Sequence, residues 1–262
     1  MQSLKDNDFI SEESRDLYIS AITVLGDRED QQDCFGYILK DNAIYLTVCD
    51  GMGGYSGGKL ASTVAVKAFL DYFSQDTEMV LGSDCLTQST VFANSAVYNL
   101  ANDARRCGST LVSVIIRDKA LYWNSVGDSR AYLFRGGSFV QFTKDQNYRV
   151  VLDEKKKAGL IDEIEYENEA VRGDALICHL GMESVGLIDY NESPLMFLPD
   201  DIVILMSDGL YKVLTDEEIS SVLSNFNDVN EALYALELKV RKVSKEKNIR
   251  RDNMTVATVK IK

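Results

Sequence analysis

Histidine is almost absent: the 262 residues contain one, His179. A Ser-His-Asp or Cys-His site would have to use it, and a zinc site built from several histidines is excluded. It lies in the apolar stretch ALICHLGM (175–182), where a packed or loop histidine is the plain reading. Cysteine is sparse and odd in number, five in all, with no C-x-x-C pair. Neither a disulfide framework nor a thiolate metal site is expected; the thiols read as reduced core residues of a cytoplasmic protein. There are two prolines, and no linker, repeat or low-complexity tract divides the chain, so residues 1–262 are expected to form one domain. No apolar run approaches the ~20 residues of a membrane span. The opening MQSLKDNDFISEESRD is too polar for a signal peptide. Positive charge is also short: 28 Lys and Arg stand against 41 Asp and Glu, a net charge of −13. Such a field repels nucleic acid and anionic membrane, so neither is an expected partner. Any catalysis must rest on carboxylates.

Strand patterns dominate the first half. LYISAITVL (17–25), CFGYILK (34–40) and AIYLTVC (43–49) are rich in β-branched and aromatic residues between polar turns. Helical spacing follows over Lys59–Phe73 and from about Leu86 to Arg105. A run of short strands (109–117, 120–126, 130–136, 138–143) has turns suited to an antiparallel meander. Residues 146–175 are charged and less regular. DIVILMS (201–207) reads as a buried strand, two helices are expected over 216–223 and 229–247, and MTVATVKI (254–261) closes as a strand. Strands in blocks and helices in pairs predict an α+β fold with antiparallel sheets, not alternating β-α-β units.

Five aspartates sit at strand tips. Asp50 ends one strand and Asp208 another, both followed by glycine. Asp252 stands one residue short of a strand, Asp33 opens one, and Asp128 lies in the turn between two. Acids so placed can converge on one rim of a sheet sandwich. At ~4 Å and an effective dielectric of ~20, each close pair costs about 4 kcal/mol, so the cluster needs a neutralising partner. Hard divalent cations with oxygen ligands, Mg²⁺ or Mn²⁺, fit that need. Gly51 would leave its backbone carbonyl free to join them. A rival reading takes Gly53-x-x-x-x-Gly58-Lys59 as a phosphate loop of a nucleotide hydrolase. Leu60 follows where that chemistry needs a hydroxyl, and antiparallel strand blocks do not suit it.

The order of motifs resembles the metal-dependent protein Ser/Thr phosphatases of type 2C in their short bacterial form. GDREDQQD (26–33), VCDGMGG (48–54), GSTLVSVII (108–116), VGDSRAYL (126–133), FTKDQN (142–147), LG (180–181), SDGL (207–210) and DNMTV (252–256) carry the resemblance across nearly the whole chain. It implies two antiparallel sheets packed as a sandwich, flanked by helix pairs in four layers, with a flap at about 146–179. It implies two tightly held Mn²⁺ or Mg²⁺ ions and a third, weaker one. Asp50 would bridge the two ions, the Gly51 carbonyl would ligate one, and Asp208 and Asp252 would hold the other. Asp128 would serve the third. Asp33 would orient the attacking water and Arg28 would bind substrate phosphate. The implied reaction is hydrolysis of phosphoserine and phosphothreonine in proteins, a Ser/Thr kinase among them, by a metal-bridged water, in the cytoplasm and as a monomer. A catalytically weak relative that only binds phosphoproteins is the other reading of the same resemblance. Four departures bear on substrate handling. Gln32 stands where many relatives have Glu, Gln146 follows the T-x-D acid Asp145 in place of His, Met52 replaces a His, and no Arg precedes Leu180-Gly181.

Overall fold

The structure is a computed structural model describing residues 8–13, 17–53, 57–75, 82–100 and 107–261. In chain order the elements are β1 (Asp8–Glu13), β2 (Leu17–Val24), β3 (Asp33–Lys40), β4 (Ala43–Met52), α1 (Gly57–Gln75), α2 (Ser83–Tyr98), β5 (Gly108–Ser109), β6 (Leu111–Arg117), β7 (Ala120–Val126), β8 (Arg130–Arg135) and β9 (Ser138–Gln141). Then follow α3 (Tyr148–Lys157), α4 (Glu163–Ala170), β10 (Asp189–Tyr190), β11 (Leu195–Met196), β12 (Ile202–Met206), α5 (Asp208–Tyr211), α6 (Asp216–Asn225), α7 (Val229–Lys247) and β13 (Met254–Ile261).

One sheet runs β1-β2-β13-β12-β8-β9 and the other β10-β7-β6-β4-β3, with β5 on β4 and β11 also on β7. Every pairing between these strands is antiparallel. The expected α+β sandwich is therefore the observed one. A phosphate-loop fold, which needs a parallel sheet, is not.

Strand alternation builds the layers. On β4, Ile44, Leu46 and Val48 face the other sheet and meet Val203 and Leu205 of β12 and Ala257 and Val259 of β13. Tyr45 and Cys49, on the opposite face, pack under α1 and α2 with Ala61, Phe69 and Leu86. The outer face of the six-stranded sheet that holds β12 takes α6 and α7 through Ile219, Leu233 and Leu236 against Ile204 and Met206. In α7 the buried residues Ala232, Leu233, Leu236, Val240 and Val243 recur at helical spacing. Asp228 caps its start, accepting from the Asn230 N–H, and Asn248 in a left-handed conformation ends it.

Four short pieces escaped the sequence pattern: β1, the two-residue strands β10 and β11, and the single turn α5. The expected helix to Arg105 ends as α2 at Tyr98, and residues 101–106 lie outside the described residues. Among the described residues no helix is long and apolar enough to cross a membrane.

Candidate metal centre

The face of β4 that fills the sandwich with Ile44, Leu46 and Val48 next presents Asp50, at the rim. Its Cα partner on β3 is Asp33. From the other sheet, β12 presents Val203 and Leu205 and then Ser207, and β13 presents Val259 and Ala257 and then Thr255. At the same end of both sheets the inward side chains thus change from apolar to polar. Ser207 Oγ donates to Asp33 Oδ2 at 2.6 Å and accepts from the Thr255 N–H at 2.9 Å. Thr23 of β2 extends the row, its hydroxyl 2.9 Å from that of Thr255, and receives the Gln31 amide at 2.9 Å. Gln31 Oε1 in turn accepts from the Asp33 N–H at 3.0 Å. The sequence reading passed over this hydroxyl row. Its signal was there, in the switch from Val and Leu to Ser and Thr at matching strand ends.

All five expected aspartates reach this rim. The Asp50 carboxyl is held well above its ordinary range by burial first, then by the charges of Asp33, Asp208, Asp128 and Asp252. Asp33 is pushed up to about 7, by burial against the opposing Ser207 hydrogen bond and with the help of Asp208. Burial, then Asp208, raise Asp128 to about 6. Asp208 is raised by burial, with Lys212 opposing.

Local structure explains each placement. Thr110 fixes the end of β4: its hydroxyl accepts from the Asp50 N–H at 2.8 Å and its N–H donates to the Asp50 carbonyl at 2.8 Å. Asp208 starts α5 directly after β12. Asn253 locks the 252 turn, with Oδ1 accepting from the Gln32 N–H at 2.8 Å and its amide donating to Leu25 O at 2.9 Å. Gly51 has a steric reason besides the one expected. A Cβ there would lie 2.0 Å from the Gly58 carbonyl oxygen, and one on Gly58 would lie 2.7 Å from that of Gly51. The chain passes itself backbone to backbone at this point.

Two buried carboxylate oxygens, Asp33 Oδ1 and Asp208 Oδ1, have no hydrogen-bond partner among the described residues. Buried, unpaired, negatively charged oxygens are what a hard cation satisfies, so the residues fit Mg²⁺ or Mn²⁺. As they stand, no group of three or more acid, histidine or cysteine side chains among the described residues is drawn tightly enough to grip an ion. Three of the acids lean on other partners. Arg28 pairs with Asp252, Lys212 with Asp208 at 2.6 Å, and Ser207 with Asp33. Arg28 is half exposed at the edge of the cluster.

One departure, Gln146, finds a structural role. Gln146 is buried and hooks the Asp128 turn: its Oε1 accepts from the Gly127 N–H at 3.0 Å, and its own N–H donates to Gly127 O at 3.0 Å. Asp145 is taken by Arg130 in a two-pronged pair, with bonds of 2.9 and 2.7 Å. His179 Nδ1 sits 2.8 Å from Leu180 O against Gly108, a packed loop histidine as expected. Cys49 is buried under the helices, away from Asp50.

The family model for protein phosphatase 2C matches residues 25–243. The chain belongs to that family. It is 28% identical over 216 residues to the serine/threonine phosphatase stp of Listeria monocytogenes, covering 80% of this chain and 83% of that protein. The fold matches the serine/threonine phosphatase of S. agalactiae with a TM-score of 0.77 at 24% identity, over 94% of this chain and all of that one. The catalytic domain of the phosphatase PstP, solved with two manganese ions, matches with a TM-score of 0.73 at 24% identity, over 94% of this chain and 98% of that one.

Proposed function

We propose that this chain is a metal-dependent protein phosphatase that hydrolyses phosphoserine and phosphothreonine in proteins. The observation that carries the reading is the field at Asp50, where four other aspartates from both sheets act on one carboxylate. Asp50, the Gly51 carbonyl, Asp208 and Asp252 would hold two Mn²⁺ or Mg²⁺ ions. When bound, such ions supply Lewis acidity toward the phosphoryl oxygens and make water a usable nucleophile at neutral pH.

The chain's own residues do the rest. Arg28, exposed at the edge, turns its planar fork from Asp252 to two phosphoryl oxygens. Asp33, raised to about 7 and steered by Ser207, accepts the proton of the attacking water. The buried end of the sandwich keeps bulk water from the acids and so strengthens each charge interaction. No side chain needs to form a covalent phosphoenzyme: Cys49 is sealed in the core, where burial pushes its thiol up out of the nucleophilic range. Substrates are phosphorylated proteins, a Ser/Thr kinase among them, and the flap over residues 146–179 meets them beside the site. Five free cysteines support a reducing compartment, the cytoplasm.

The test is hydrolysis of a phosphothreonine peptide with Mn²⁺, with Mg²⁺ and with EDTA. Turnover is expected with either ion and none with chelator. Asp208→Asn should cost at least ~10²-fold in rate. Undiminished turnover in a rigorously metal-free preparation would overturn the reading.

A further inference from the structure

Lys212 stands where the acids ask for one more cation. Asp208 opens the single turn α5 and Lys212 closes it, its N–H donating to the Asp208 carbonyl at 3.0 Å. One helical turn brings the two side chains onto the same face, and Lys212 Nζ reaches back to 2.6 Å from Asp208 Oδ2. The same Nζ is 3.5 Å from Asp174 Oδ2, in the loop after α4. Asp128 is buried in its turn, and its charge acts on Lys212. Tyr211 ties that turn to α5 by donating its hydroxyl to the Asp128 carbonyl at 2.9 Å. Two carboxylates, Asp208 and Asp174, therefore reach one ammonium, and the charge of a third, Asp128, acts on it.

Asp208 divides its two oxygens. Oδ2 belongs to Lys212, while Oδ1 is buried and unpaired. Lys212 thus leaves one oxygen of Asp208 open for an ion while it holds the other and reaches Asp174. We propose that the Lys212 ammonium is a tethered cation in the place beside Asp128 and Asp208 that a further divalent ion would otherwise take. The protein then works with two ions and one built-in charge, in place of the third ion expected from Asp128. This rests on the reading of Asp208 as a metal ligand.

The chemistry favours the tether. A loosely held Mg²⁺ or Mn²⁺ keeps most of its waters and leaves when its concentration falls. An ammonium fixed one turn from its carboxylate is always present, and it brings three N–H donors, which suits a place lined by carboxylates. A plain surface ion pair would also show an i, i+4 contact, and such pairs contribute little. The two readings part on how many ions the protein binds.

The experiment counts Mn²⁺ bound to the full chain by electron paramagnetic resonance of the free ion, for the wild type, Lys212→Met and Lys212→Met with Asp128→Asn. Lys212→Met keeps the apolar stem and removes the charge. The wild type should bind two ions. Lys212→Met should bind one more, at least ~10-fold more weakly than the first two, and the double variant should lose it again. Lys212→Gln serves as a second variant, and a thermal melt without metal reports that each is folded. Equal counts in wild type and both Lys212 variants would overturn the proposal, as would a wild type that binds three. A wild type that binds no Mn²⁺ would remove the metal centre itself and this inference with it. Loss of tight binding in Asp208→Asn, alongside equal counts at Lys212, would reject the tethered cation and leave the metal centre standing.

Discussion

Asp33 and Asp50 stand opposite one another as Cα partners across β3 and β4, on the face that looks into the sandwich. Like charges in one cross-strand pair repel, and both side chains sit in the polar end of a core otherwise built from Val, Leu and Ile. That conflict sets the behaviour of the metal-free protein.

Without divalent ions, stability should fall as pH rises. Burial carries Asp33 from 3.8 up to about 7 and Asp128 up to about 6, and it raises Asp50 and Asp208 as well. Between roughly pH 4 and pH 7 the folded chain keeps protons that the unfolded chain has released, so unfolding becomes easier with increasing pH. In EDTA the melting temperature should be lower at about pH 8 than at about pH 5.5, and Mn²⁺ should restore it chiefly at the higher pH. A chelated protein that melts higher at pH 8 would refute the buried cluster.

Ser207→Ala removes the donor on Asp33 and the acceptor for the Thr255 N–H. We expect a loss of about 1–3 kcal/mol in urea unfolding. With its hydrogen bond gone, the Asp33 carboxylate is less stabilised and titrates higher. The acidic limb of the kcat/KM profile should therefore move to higher pH. A limb that stays in place would take Asp33 out of the proton transfer.

Arg28→Lys keeps the charge and loses the fork. KM for an aryl phosphate should rise on the order of 10-fold, because a lysine binds phosphate as a point charge. The exposed Arg28–Asp252 pair contributes little to folding, so denaturant stability should change by less than ~1 kcal/mol. An unchanged KM would place phosphate elsewhere.

Gly51→Ala forces a methyl group to within 2.0 Å of the Gly58 carbonyl oxygen unless the backbone yields. Overpacking of this kind costs about 1–3 kcal/mol, and the displaced Gly51 carbonyl should weaken Mn²⁺ binding in a titration. Wild-type affinity in the folded variant would show that the carbonyl plays no part.

The long elements were legible because their patterns were strong. β-branched and aromatic runs such as AIYLTVC and the helical spacing of 229–247 left little choice. β1 was hidden by its composition, DFISEE, which fits an exposed edge strand with no buried residue to mark a face. The acids of the site were legible too, since an aspartate before glycine at the end of an apolar run is unusual chemistry. Their partners were not. The contact of Lys212 with Asp208 depends on a helix of one turn, too short to leave a period. The role of Gln146 depends on where the Gly127 turn lies in space, 19 positions back along the chain.

The segment carrying α3 and α4 is stitched down at both ends. Gln146 and Gly127 close one end, and Leu180 closes the other through paired backbone bonds to Ser109 of 2.8 and 3.2 Å. Between these stitches the segment bonds largely to itself, as in Tyr148 to Ala175 and Arg149 to Gly173. It is built as a cassette. Its contents can be exchanged while the two seams hold, provided that Asp174 keeps its contact with Lys212.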